Sequence, residues 1–178
     1  ASDVYKRQAK YHGMKYSIAL ANGTLALELA VSSFNIGKGD EVIVPSRTYI
    51  ATASSVFVVG AKPIVADVDK NSGNITVETI EAVRTNKTRA IVVVHIAGWP
   101  CDMKSIMKYA KKNNLIVIED CAQAHGAKYK GKPVGSIGHI GCWSFCQDKI
   151  MTTAGEGGMV TTNNEKLWRK LWAYKDNG

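Results

Sequence analysis

Lys149 ends the run Ser144-Phe145-Cys146-Gln147-Asp148-Lys149, and the glycine-rich stretch Gly155-Glu156-Gly157-Gly158 follows shortly after it. Upstream, the apolar segment Leu115 to Ile118 closes on Glu119-Asp120 and runs into Cys121-Ala122-Gln123-Ala124-His125-Gly126. A lysine, a strand-end carboxylate and a glycine-rich turn supply what the chemistry of pyridoxal phosphate (PLP) needs. The amine can form a Schiff base, the carboxylate can pair with a pyridinium nitrogen, and backbone N–H groups can bind a phosphate.

Other residues fit around these three. Asn22-Gly23-Thr24 stands between an apolar run and a helical pattern, where exposed N–H groups and the Thr24 hydroxyl can donate to a phosphate. Ser144 can donate to the same phosphate, Tyr49 can stack on a cofactor ring, and Gln123 and His125 can reach its phenolic oxygen or a substrate. Each residue also has an ordinary alternative. Gly23-Thr24 can be a helix start, Asp120 a cap or surface acid, Tyr49 a core tyrosine, His125 a hydrogen-bonded structural histidine and Lys149 a solvated charge. The ordered set carries the argument, not any one member.

These residues need elements to position them. Short, wholly apolar runs alternate with amphipathic ones. Strands are expected over Tyr16 to Ala21, Glu41 to Val44, Pro63 to Val68, Arg89 to Ile96, Leu115 to Glu119, Gly141 to Phe145 and Gly158 to Thr162. Helices are expected over Thr24 to Phe34, Thr48 to Val59, from the cap Thr76 to about Thr85, from the cap Asp102 to Asn113-Asn114, and over Asn164 to Tyr174. Strands apolar on both faces and joined through helices imply an α/β fold, a mostly parallel mixed sheet flanked by helices. Ligands bind outside the carboxyl ends of such strands, where Asn22 to Thr24, Ser46 to Tyr49, His95 and Asp120 fall.

The chain has 178 residues, 46% of them hydrophobic, enough for one globular domain. The charge of +8 is scattered over helix faces and a turn, without an aromatic-interleaved basic stripe, so it argues for an anionic small ligand over nucleic acid. No run is long enough to span a bilayer, and no metal is implied, because the four cysteines form no Cys-x-x-Cys pair and no zinc-type cluster with histidine. Reduced, buried thiols point to a cytoplasmic protein. A single glycine, Gly23, in the first strand-to-helix turn argues against a dinucleotide-binding fingerprint. The polar residues 1–11 read as a non-native or disordered leader, with residues 12–178 as the domain.

The motifs Asn22-Gly23-Thr24-Leu25-Ala26-Leu27, Asp40 to Ser46 with Thr48 to Thr52, Glu119 to Gly126, Ser144-Phe145 with Lys149, and Gly155 to Gly158 resemble the DegT/DnrJ/EryC1/StrS sugar aminotransferases. That group has the type I fold of PLP enzymes, and the likeness runs from about His12 onward. It implies Lys149 as the Schiff-base lysine and Asp120 as partner of the pyridine nitrogen. Gly23, Thr24 and Ser144 would hold the phosphate, with Tyr49 and Gln123 on either side of the ring. It further implies an amino donor, usually glutamate, and a nucleotide-linked keto-sugar. It also implies a homodimer and a smaller C-terminal domain beyond this PLP-binding large domain. Relatives with histidine in place of the lysine catalyse dehydration instead. Ala154 stands where that family commonly has glycine.

Overall fold

The structure, a computed structural model, describes residues 2–177. The chain begins with α1 (Ser2–Tyr11) and β1 (Tyr16–Leu20), followed by α2 (Gly23–Ser33), β2 (Glu41–Pro45), α3 (Ala51–Val58) and β3 (Lys62–Ala66). Next come α4 (Val77–Val83), β4 (Thr88–Val94), α5 (Met103–Lys112) and β5 (Ile116–Asp120). The short pair β6 (Lys128–Tyr129) and β7 (Lys132–Pro133) precedes β8 (Ile140–Ser144), β9 (Gly158–Thr162) and α6 (Glu165–Asn177).

Seven strands form one sheet in the order β1-β9-β8-β5-β4-β2-β3, and β6 and β7 form a separate ribbon. All neighbours from β8 through β3 pair in parallel, whereas β9 pairs antiparallel with both β8 and β1. The carboxyl ends of β1, β2, β4, β5 and β8 therefore share one edge with the start of β9. This is the mostly parallel mixed sheet expected from the continuous apolar runs.

The two-residue period of the strands sorts their side chains onto two covered faces. Val42, Val44, Val92, Val94 and Ile118 pack with Ala26, Ala30, Val31, Val56, Leu167 and Leu171 from α2, α3 and α6. Ile43, Ile91, Val93 and Val117 pack on the other side with Ile80, Met103, Ile106 and Ala110 from α4 and α5. Caps fix the helix starts: Leu25 N–H donates to Asn22 Oδ1 at 2.9 Å, and Thr76 and Thr79 form a reciprocal capping box.

Some boundaries differ from the expectation. The helix expected from Thr48 starts at Ala51, leaving Thr48 to Ile50 as a loop. The β6–β7 ribbon is too short to show a pattern. It turns through Lys130 and Gly131, both left-handed at φ 49° and 81°, as a two-residue hairpin requires.

The leader expected over residues 1–11 is a helix for all the residues described, with Ala1 outside them. Its end explains why. Met14 N–H bonds Ala9 O at 2.8 Å and Gly13 N–H bonds Lys10 O at 3.1 Å, with Gly13 at φ 68°. That is a glycine-terminated helix whose last turn buries Ala9 and Met14.

His12 follows that helix and is buried, its ring tilted 38° against Trp143 with 3.8 Å between centroids. Burial, and then the neighbouring His125, push its pKa from 6.5 down to about 4. The fold thus holds the neutral ring, while the unfolded chain takes up a proton near 6.5. Stability is complete above that value, falls as the pH drops toward 4 and levels off below it. The loss is about 3 kcal/mol. Urea melts across this window should show the fall, and His12→Phe should reduce it, leaving the part due to His125 and His139, whose pKa values burial also lowers. A wild-type curve with no slope there would contradict the assignment.

Candidate active site

A cleft of about 440 Å³ opens at the shared strand edge. It brings Gly23, Thr24, Tyr49, Asp120, Gln123, Ser144 and Lys149 together from the exits of β1, β2, β5 and β8. His125 lies elsewhere. It is buried between the rings of Trp143 and Phe145, at 5.5 and 5.2 Å, does not line the cleft, and has its pKa lowered by burial. His95 is also removed from the cleft.

Asp120 is buried at the end of β5. Thr52 Oγ1 donates to its Oδ2 at 2.9 Å and Ala122 N–H to its Oδ1 at 3.1 Å, while the Thr48 and Thr52 hydroxyls sit 2.7 Å apart. Burial pushes its carboxyl pKa up. The Ala122 N–H, the Thr52 hydroxyl and the Lys149 charge only partly pull it back. An ionised Asp120 therefore lacks a full cationic partner among the described residues.

The first N–H groups of α2 have no carbonyl a turn behind them, so Gly23 and Thr24 present donors to the cleft. The approach is tight. A Cβ at Gly23 would lie 2.7 Å from Ser144 Cβ, and one at Gly158 would collide with the Asn22 carbonyl oxygen. Only glycine lets the start of β9 and the start of α2 meet beside Ser144.

Gln123 Oε1 accepts from Ala97 N–H at 2.8 Å, which leaves its NH₂ as the group free to donate. Tyr49 is 71% exposed at the cleft mouth, so it is not a core tyrosine. Lys149 sits in a loop closed by Phe145 N–H to Gly157 O at 2.8 Å and Thr153 N–H to Phe145 O at 3.0 Å. Its side chain is 21% exposed, with Nζ 3.8 Å from Asp148 Oδ1. In the same loop Ala154 is left-handed at φ 64°.

Sequence reasoning missed a second layer. Glu119, on the opposite face of β5 from Asp120, is fully buried. Gly135 and Ile137 N–H groups donate to it at 2.8 Å each, as does Gly138 N–H. Cys101 N–H donates to His95 Nδ1 at 3.1 Å, so the ring proton is on Nε2 and points to Glu119 Oε2 at 3.0 Å. His95, Glu119 and Cys121 lie close enough to hold a metal ion. Yet both ring nitrogens and both carboxylate oxygens are already bonded, and burial pushes the Cys121 thiol pKa well up. The cluster is a hydrogen-bonded support for the β5 end. The visible signal was a second acid in an otherwise apolar strand.

These donors fit PLP. A buried carboxylate short of a cation among the described residues suits a ring N–H⁺, and a glycine-lined helix start beside Ser144 suits a phosphate. A mostly parallel sheet that gathers such groups at its carboxyl edge is the type I fold of PLP-dependent aminotransferases.

The sequence model of the DegT/DnrJ/EryC1/StrS aminotransferase family matches residues 4–178, and the chain belongs to that family. GDP-perosamine synthase from Escherichia coli O157:H7 is 48% identical over 96% of this chain and 46% of its own length. dTDP-3-amino-3,6-dideoxy-alpha-D-galactopyranose transaminase from Aneurinibacillus thermoaerophilus is 48% identical over 99% of this chain and 48% of its own. Among solved structures, the aminotransferase from Psychrobacter cryohalolentis is 64% identical over 99% of this chain and 45% of that one, with a TM-score of 0.98. The chain thus spans about half the length of the curated relatives it matches. Among the described residues no helix is long and apolar enough to cross a membrane.

Two substitutions probe this geometry. Ala154→Gly should stabilise the chain by about 0.5–1 kcal/mol in urea melts by relieving the left-handed alanine; a loss of stability would count against that conformation. Thr52→Val should destabilise by about 1–3 kcal/mol and raise the Asp120 pKa further, with Thr52→Ser restoring both. An Asp120 carboxyl titration by NMR that is unchanged in Thr52→Val would refute the contact.

Proposed function

We propose that the protein carrying this chain is a PLP-dependent aminotransferase. It moves an amino group from glutamate to a nucleotide-linked keto-sugar in amino-sugar or polysaccharide biosynthesis. The observation that carries this reading is a lysine sharing one cleft with a buried carboxylate that lacks a cation, in a member of this family. The relatives' names, a GDP-sugar synthase and a dTDP-sugar transaminase, support the substrate class.

When bound, PLP supplies a conjugated ring that takes up the electron pair released as a substrate C–H bond breaks. The residues of this chain do the rest. Gly23 and Thr24 N–H groups and the Ser144 hydroxyl bind the phosphate. Asp120, held by Thr52 and Ala122, keeps a proton on the ring nitrogen, and this new partner offsets the cost of its burial. Tyr49 covers one side of the ring, and Gln123 donates its NH₂ from the other. Lys149 anchors the cofactor through its amine. Once released, its Nζ takes the proton from the α-carbon of glutamate. In the second half-reaction it delivers a proton to the sugar carbon that gains nitrogen.

The resemblance further supports a homodimer in which the partner and a smaller C-terminal domain complete the cleft. The exposed Tyr49, Ile50 and Ile150 around the cleft mouth agree with such cover.

The test is cofactor trapping on the full protein. Reduction with borohydride in the presence of PLP should place the pyridoxyl group on Lys149, as read by peptide mass spectrometry. Lys149→Ala should cut transamination by several orders of magnitude. Adducts spread over surface lysines, or full turnover in the variant, would sink the reading. Trapping on Lys149 with no conversion by glutamate would favour a non-catalytic PLP-binding regulator instead.

A further inference from the structure

A sugar nucleotide carries a diphosphate, and the cleft is poorly furnished to hold one. Among the described residues its one cationic lining residue is Lys149, which the proposed reaction uses, and the α2 start is committed to the cofactor phosphate. The described residues offer a further cation on the rim, alongside whatever groups the partner and the smaller domain add. Resting on the substrate class above, we propose that Arg47 and Trp99 form a nucleotide-recognition rim, Arg47 holding the diphosphate and Trp99 stacking on the base.

Arg47 leaves β2 next to Thr48 and Tyr49, both of which line the cleft. It is exposed and makes no ion pair or hydrogen bond among the described residues. Its guanidinium lies across Gly73, where a Cβ would meet Nη1 and the flexible side chain would have to move aside. Gly73 is left-handed at φ 69°, which favours glycine there on backbone grounds as well. The nearby acids are engaged elsewhere. Asp69 accepts from Ser72 N–H at 2.8 Å and Asn71 N–H at 3.1 Å, and Asp67 accepts from Val68 N–H at 2.8 Å. An exposed, unpaired guanidinium is free to grip a phosphate with two parallel N–H donors.

Trp99 is joined to the same rim. Asn74, next to Gly73, donates its Nδ2 to the Trp99 carbonyl at 3.0 Å, tying the loop after β3 to the loop after β4. Asn74 is buried, and its Oδ1 has no partner among the described residues. The Trp99 loop is held to the cleft by Ala97 N–H on Gln123. Trp143, Trp168 and Trp172 each have an aromatic neighbour, whereas Trp99 is 66% exposed and makes no ring contact among the described residues. An indole held at a cleft edge with a free face is a stacking surface for a nucleobase.

The experiment uses the full protein loaded with PLP and three probes, UDP, GDP and dTDP, each added alone. Calorimetric titration should show at least one of them binding the wild type. Arg47→Gln should weaken that binding about tenfold or more, with Arg47→Lys recovering part of it. Trp99→Ala should weaken it too and remove the nucleotide-dependent quenching of tryptophan fluorescence. The KM for the sugar nucleotide should rise, while the glutamate half-reaction, followed by cofactor absorbance, should not share the loss. Unchanged nucleotide binding in both variants would overturn the rim and leave the aminotransferase reading standing. A rise confined to the glutamate KM in Arg47→Gln would overturn it as well, by assigning the guanidinium to the donor carboxylate. Wild type that converts with glutamate but binds none of the probes would overturn both the rim and the sugar-nucleotide substrate. Rim-dependent nucleotide binding without glutamate conversion would support the rim and fail the aminotransferase.

Discussion

Two consecutive carboxylates are buried at the end of β5, on opposite faces of the sheet, and the cleft depends on how each is satisfied. Glu119 is surrounded by donors on both oxygens, from the Gly135 to Gly138 segment and from His95. Charge-assisted bonds of this kind contribute about 1.5–3 kcal/mol each, and losing one partner leaves a buried charge exposed to its full desolvation cost. Glu119 therefore locks the strand end in place. Asp120 is left incompletely compensated, with one hydroxyl and one N–H. The same strand end thus holds a saturated acid that gives rigidity and an unsaturated one that is available to a ligand.

That division of labour recurs around the cleft. Groups that set shape are fully bonded: the capped Asn22, the Gln123 oxygen on Ala97, and the Phe145–Gly157 closure of the lysine loop. Groups that would meet a ligand have spare capacity: the α2 N–H groups, the Gln123 NH₂, and Tyr49 at the mouth. Glycines stand where two backbones must approach, most severely Gly158 against Asn22, so the cradle is defined by main chain and tolerates little change in position.

The strands were legible in the sequence because both faces of the sheet are covered, so Ile91 to Val94 and its kin read as unbroken apolar runs. The residues of the cleft were legible because lysine, acid and glycines fall at strand exits, where the fold puts ligands. Helix α1 was not, because its polar composition hides a stop signal carried by Gly13 and Met14. Thr52 was not, because a hydroxyl inside an amphipathic run looks like any other surface threonine. Only the tertiary fold brings it across 68 residues to Asp120. His125 was misplaced as a ligand candidate, since adjacency to Gln123 in sequence says nothing about which side of the strand exit it turns to. The His95–Glu119 bond has no local pattern at all.

The antiparallel strand β9 has a further meaning for how the molecule comes into being. It is inserted between β1 and β8, so Leu20 meets Gly158 and Ser144 meets the same glycine. The proposed phosphate cradle therefore joins the exits of β1 and β8 to the start of β9. A growing chain on the ribosome has made α2, β5 and the buried acids long before that strand exists. Until it emerges, β1 and β8 have unpaired edges, and the turn at Gly23 has nothing to close against. Such long-range pairing is slow and exposes apolar edges meanwhile. The cradle thus closes only once β9 has been made, and binding of a phosphate there, as proposed above, would report that this part of the chain has reached its native topology.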